Sequence, residues 1–467
     1  MVSGNPIAWL MLLIWPVVVR QMYLRLDPAR ALIWAILAGY LILPPVLAIN
    51  LPLVPDFTKY TIPSLAALFC CWLMLKHRIA VDPGHWPERM LMLTYVLSAF
   101  GTVLTNPEPL VFLQDIIPAM KIYDSASAVA TQMIALLPFV LARRYLSGDK
   151  ALRSLTLALV AAGLAYSAPM LLEAAVSPQL NLWIYGYFQH DFFQTIRAGG
   201  YRPVVFLPHG LWVAFFAFMC AASAAVVLRD LPADSRPKQL AILLYLIFMV
   251  ALCKSAGAIA FTVFAVPILL LVNRRFIILL AASIAIIVVV YPILRGAHMV
   301  PLQLILDIAS SFNPERAASL NFRIMNEELL LDHAANKPLF GWGGFNRSFL
   351  HDPITGRTTV IADGAWIIVL GTYGWFGYIA SFGLLALPLV RLALFALRND
   401  VASVSSFAAG LALILALNLL DMLPNATEIP FTWLLAGALF GYVEKKSAEG
   451  KLGKESSRKP GLKVVIG

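Results

Sequence analysis

Apolar residues in this chain come in long unbroken runs, not in the alternation of a half-buried strand or the one-sided stripe of a soluble helix. The runs lie near 7–19, 31–49, 62–75, 90–104, 126–141, 152–172, 207–228, 240–252, 257–272, 276–294, 362–397, 401–420 and 429–443. A helix that crosses a bilayer needs roughly 20 mostly apolar residues, and several of these runs are shorter. The pattern predicts an all-α, polytopic transmembrane bundle of about 12–13 spans. One membrane domain is expected over 1–443, and 444–467 reads as a disordered basic tail. The first run has no basic residue before it and no small-residue cleavage site after it, so it is not read as a signal peptide. It is either a thirteenth span or a shallow segment. The run 362–397 is too long for one straight crossing, and Gly371, Gly374 and Gly377 interrupt it. A helix broken at the glycines is expected there.

The charges between the runs give an orientation. Arg20, Arg25 and Arg30 share one loop, and Lys76, Arg78 and Arg89 share another. Then come Arg143, Arg144, Lys150 and Arg153; Arg229, Arg236 and Lys238; Arg274 and Arg275; and Arg391 with Arg398. Lys445, Lys446, Lys451 and Lys454 follow in the tail. These loops alternate with poorly charged ones, so they are expected in the cytoplasm, together with the C-terminus. Composition agrees: 60% of the 467 residues are hydrophobic and 13% are charged, against about 25% charged in a soluble domain. The formal net charge of +10 fits this bias. No basic stretch is interleaved with stacking aromatics, so nucleic acid is not an expected partner. Cys70, Cys71, Cys220 and Cys253 lie in apolar runs without a CxxC pair, so neither a disulfide frame nor a zinc site is indicated.

Two loops on the opposite side are long, about 173–206 and 295–361. A transporter keeps its polar chemistry near mid-membrane; here it sits in these loops, so the working face is expected outside the cytoplasm. Arg197 and Arg202 break the inward bias of arginine. A guanidinium fork suits phosphate oxygens, although headgroup binding or helix capping would also account for them. Lys254 stands in Cys253-Lys254-Ser255-Ala256-Gly257, between two apolar runs with almost no loop. A cation there either snorkels or faces a polar cavity, and a phosphate is one ligand for it. In the second loop Trp342 and Phe345 could platform a sugar, or anchor at the membrane interface.

The order Arg323, then Pro338-Leu339-Phe340-Gly341-Trp342-Gly343, then a polar residue opening a helix with a Gly371-x-x-Gly374 break resembles the O-antigen ligase and polymerase superfamily. The likeness covers roughly the half of the chain from Arg202 onward. It implies a GT-C-like bundle with a large periplasmic loop region, in a bacterial inner membrane. It implies a metal-independent glycosyltransferase with no cofactor, acting on undecaprenyl-diphosphate-linked glycans. Membrane lipid and other polysaccharide-assembly proteins are the further partners it implies. By position, Arg202 resembles the arginine of the first large periplasmic loop, Lys254 replaces a usual arginine, and Arg323 resembles the arginine before the Pro-Leu-x-Gly-Trp-Gly element. Asp363-Gly364 stands where ligases carry His-Asn, which favours a polymerase of exopolysaccharide or O-antigen over a ligase transferring glycan to lipid A core.

Cleaving a sugar–diphosphate bond builds negative charge on the leaving group, and fixed cations lower that barrier. Arg202, Lys254, Arg323 and Arg197 are thus the expected diphosphate ligands, with Arg202 and Arg323 also counted as catalytic. Asp363 is the expected base, and His351, Trp342 and Arg347 the expected acceptor or sugar contacts. A lipid-linked oligosaccharide flippase is the alternative of another class. It predicts charges lining the bundle at mid-membrane.

Overall fold

A computed structural model of the chain describes residues 4–51, 54–74, 86–197, 199–312, 314–400 and 403–458, the last of these with side chains only to Glu449. Lys76, Arg78 and residues 459–467 lie outside the described residues. The fold is all-helical. The long helices are α1 (Pro6–Arg25), α2 (Pro28–Ile42), α3 (Thr61–Met74), α4 (Trp86–Leu104), α5 (Ile122–Tyr145), α6 (Asp149–Val176), α8 (Gly210–Asp230), α9 (Arg236–Leu252), α10 (Ala256–Leu271), α11 (Arg274–Gly296), α14 (Ala365–Arg398), α15 (Ser406–Asp421) and α16 (Pro430–Arg458). Between them lie α7 (Leu180–Tyr185), α12 (Leu302–Phe312) and α13 (Pro314–Ala335). Three two-residue hairpins are the only sheet among the described residues.

Each predicted run falls on one of the long helices. Among the described residues seven helices are long and apolar enough to cross a membrane, and α2, α3, α10, α12 and α15 are shorter apolar helices. This is the pattern of a multi-pass membrane protein. The packing centre is α8, whose face is buried almost all round against α6, α9, α10 and α15. A helix apolar on every side is what such burial requires.

Two expectations are corrected. The chain after Glu444 does not leave the fold at once: α16 continues to Arg458. Glu444 and Lys446 hold it, through Arg143 Nε at 2.7 Å and Asp149 Oδ2 at 2.8 Å. Arg143 and Arg391 are also not simply solvated loop cations. Arg143 clamps both Glu88 and Glu444, and both guanidinium groups lie over the Phe440 ring. Charges between packed helices have to be paired.

The basic ends of the helices meet at one end of the bundle. Arg229 Nη1 reaches Leu269 O at 3.0 Å, Arg274 Nη1 reaches Val404 O at 3.0 Å, and Arg275 Nε reaches Ala396 O at 3.1 Å. The two long loops leave from the other end.

The long run 362–397 is a broken helix, as its glycines predicted. The break is at Gly374, with φ 65° and ψ −165°, a region that is essentially glycine-only. The Pro338–Gly343 segment fills it. Trp342 N donates to Gly371 O (2.8 Å), Gly343 N to Thr372 O (3.0 Å), Trp375 N to Pro338 O (2.8 Å) and Phe376 N to Leu339 O (3.2 Å). The Pro-Leu-x-Gly-Trp-Gly element and the Gly-x-x-Gly break are therefore two halves of one device. The first supplies the backbone partners that the second has lost, as broken helices in a membrane require.

Candidate functional site

The first loop is pinned from below before it presents any charge. Glu173, buried near the end of α6, accepts from Leu180 N (3.0 Å), Val204 N (2.8 Å) and Val205 N (2.7 Å). Gln189 Nε2 donates to Val205 O and Leu207 O, and Lys59 Nζ donates to Phe206 O at 2.6 Å. With 204–207 fixed, the residues on either side, Arg202 and His209, are fixed too.

A small hairpin pairs Ile196 with Tyr201 and Arg197 with Gly200. Lys254, in the tight turn between α9 and α10, donates from Nζ to Arg197 O at 3.0 Å. A Cβ on Gly200 would stand 2.6 Å from that Nζ, so the glycine is what lets the ammonium approach. Arg202 is only 2% exposed, and its side chain runs across the start of α8. A Cβ on Gly210 would meet Arg202 Cδ and Nε at 2.6 Å.

His209 is the hub, and the sequence reading gave it no role. It caps α8: Nδ1 accepts from Leu211 N at 3.0 Å, so in the neutral ring Nε2 carries the proton, facing Gln194 Oε1 at 3.3 Å. The His190 ring lies 4.5 Å away. Burial, then the nearby Arg202, His190, Arg197 and Arg323, push the imidazole down to about 3. His209 is therefore a neutral N–H donor with arginines near it. The signal that would have found it is its place at an N-cap, next to Gly210 and between arginines.

Arg323, on α13, comes from the second loop. Its Nε meets Asp363 Oδ2 at 3.1 Å, and its Nη1 donates to Pro424 O (3.1 Å) and Asn425 Oδ1 (3.3 Å). Asn425 is itself held by Asp421 at 2.9 Å. One turn on, Glu327 receives Trp366 Nε1 at 3.4 Å. Burial raises Glu327 to about 7, with the Trp366 hydrogen bond and the charges of Arg295 and Arg323 acting against it. Arg202, Arg197 and Arg323 thus lie close enough to bear on His209, Lys254 holds the Arg197 strand, and Asp363 stands against Arg323. No group of three or more His, Cys, Asp or Glu side chains among the described residues could hold a metal ion.

The expected acceptor contacts form a second group. Arg347 is corrected outright: it is 1% exposed and donates to Trp342 O, Pro118 O and Glu108 O at 3.2, 2.9 and 2.8 Å. It clamps loops and offers nothing to a sugar. Trp342 stacks on His333 at 4.3 Å with 7° between the planes, and Lys337 Nζ lies 4.8 Å from its ring centre. Its indole is already a partner, not an open platform. His351 packs on Phe112 at 5.2 Å and pairs with Thr358 across a turn.

No protein-family model matches this sequence, and no curated protein matches it.

Proposed function

We propose that this protein is a membrane glycosyltransferase that takes oligosaccharide units from an undecaprenyl-diphosphate carrier and polymerises them at the non-cytoplasmic face of a bacterial inner membrane. The observation that carries the reading is that Arg202, Arg197 and Arg323 lie close enough to bear on the neutral His209 imidazole, with Lys254 bonded to the Arg197 strand, at the end of the bundle opposite the arginine-rich one. Such a group suits a lipid diphosphate: it is cationic, it sits at helix ends where headgroups lie, and guanidinium forks match phosphate oxygens.

In the step we propose, the acceptor hydroxyl oxygen bonds to the sugar's anomeric carbon as the bond from that carbon to the diphosphate oxygen breaks. The electron pair leaves with the lipid diphosphate, whose charge the four cations stabilise. The hydroxyl proton passes to Asp363, which Arg323 keeps oriented. The Asp363-Gly364 pair, in place of His-Asn, favours polymerisation over ligation. The gathering of charge at one end rather than along the bundle favours transfer over flipping.

The test uses the full chain in lipid nanodiscs. Wild type should bind undecaprenyl diphosphate more tightly than the monophosphate and extend lipid-linked repeat units into a ladder. A lost charge-assisted bond is worth about 1.5–3 kcal/mol, or roughly 10- to 150-fold in affinity. Lys254→Ala and Arg323→Ala should each lose that much. Arg202→Lys keeps the buried charge but loses the fork, and should fall between. Asp363→Asn should bind the carrier normally and form no ladder. Full-length ladders from both Lys254→Ala and Arg323→Ala would overturn the proposal.

A further inference from the structure

The connection from α11 to the site helix α13 has an apolar surface that no other described residue covers. On α12 the polar residues Gln303, Asp307, Ser310 and Ser311 fall on one side. Leu302, Leu306 and Ala309 turn toward partial burial, while Leu304, Ile305 and Ile308 are exposed. α13 is divided less sharply, since exposed Asn321 and Asp332 flank its outer apolar residues. Arg323, Asn326, Glu327, Leu330 and Ala334 recur at helical spacing on the face turned to the protein. Phe322, Met325 and Leu329, at i, i+3 and i+7, are each more than half exposed on the other.

We infer that the α12–α13 hairpin lies in the interfacial layer of the bilayer, with Leu304, Ile305, Ile308, Phe322, Met325 and Leu329 set among acyl chains. Continuity argues for lipid as the occupant. α11 is one of the seven helices fit to span, and its exposed side carries Ile286, Ile287 and Ile293. That surface runs on through exposed Met299 and meets α12 six residues after Gly296. A helix with one apolar and one polar face at such a place settles with its apolar side a few Å, about 5–10, into the headgroup–acyl boundary. The consequence is positional. α13 holds lipid on one face and Arg323 and Glu327 on the other, so the membrane surface sets the depth of Arg323. The membrane placement stands without the enzymatic reading; only the use made of that depth rests on it.

The test places a single environment-sensitive fluorophore at Ile308→Cys or Met325→Cys in the full chain in nanodiscs. The native Cys70, Cys71, Cys220 and Cys253 are buried, which keeps background labelling low. Ile287→Cys on α11 and Thr355→Cys in an exposed loop are the references. The expected result is stronger quenching at 308 and 325 by shallow than by deep spin-labelled lipids, the reverse of 287, with little quenching by aqueous iodide. Iodide quenching as strong as at 355 would overturn the inference. So would shielding from both quenchers that grows with two copies per disc, which would assign the face to a second copy of the chain.

Discussion

The break in α14 can be tested by adding one methyl group. Gly374→Ala places a Cβ 2.4 Å from Leu339 C and O and 2.6 Å from Phe340 N. All three are backbone atoms in a segment held at both ends, so nothing flexible can yield. The backbone conformation alone costs about 1–3 kcal/mol for a non-glycine residue. If the Pro338–Gly343 segment moves out, the two bonds nearest the methyl, Trp375 N to Pro338 O and Phe376 N to Leu339 O, are lost or stretched. Backbone groups left unpaired away from water cost about 1–3 kcal/mol each, and the sum is on the order of 3–9 kcal/mol. The assay is the half-time for loss of monodisperse protein on heating in detergent, because membrane proteins of this size unfold irreversibly. Gly257→Ala is the internal control: its Cβ would meet nothing within 4 Å, and in the helix α10 it should be neutral or slightly stabilising. Gly374→Ala should shorten the half-time by at least an order of magnitude relative to that control. Equal half-times would refute the view that the Pro-Leu-x-Gly-Trp-Gly element and the helix break are one interlocked unit.

Arg347→Ala should destabilise the protein by roughly 3 kcal/mol, since it strands three loop carbonyls, yet the surviving folded fraction should bind the carrier as wild type does; a selective loss of binding would return Arg347 to the site. His209 sets a pH dependence. Its folded pKa of about 3 lies below the ordinary 6.5, so its contribution to stability is full above pH 6.5 and is lost as pH falls toward 3. His209→Asn keeps a capping side chain and should flatten the stability-versus-pH curve in that window, read by the same heating assay in buffers of graded pH.

The charge pattern made some features legible and hid others. Arg197 and Arg202 stand out because they break the inward bias of arginine, Lys254 because it separates two apolar runs, and Arg323 only by its place before the Pro-Leu-x-Gly-Trp-Gly element. His209 was not conspicuous, since a neutral imidazole at a helix start carries no pattern of its own. Arg347 looked like the other loop arginines until its burial and three carbonyl partners were visible. The amphipathic division of α13 was also hidden, because only the fold says which side of Arg323 is covered.

Sequence by itself determined the class of this protein. Apolar runs of spanning length admit no solvent but lipid, and backbone groups in lipid must pair within each helix. It also determined the break at 371–377, because only glycine takes up the conformation at Gly374. The tertiary structure decided which polar residues share a site. Arg197, Lys254 and Arg323 stand on three segments far apart in the chain, and only helix packing and the anchored first loop bring Lys254 onto the Arg197 strand and Arg197 and Arg323 near His209. It decided equally that the glycine-rich loop is a structural partner of α14, because a hydrogen bond between distant backbone groups leaves no trace in side-chain periodicity.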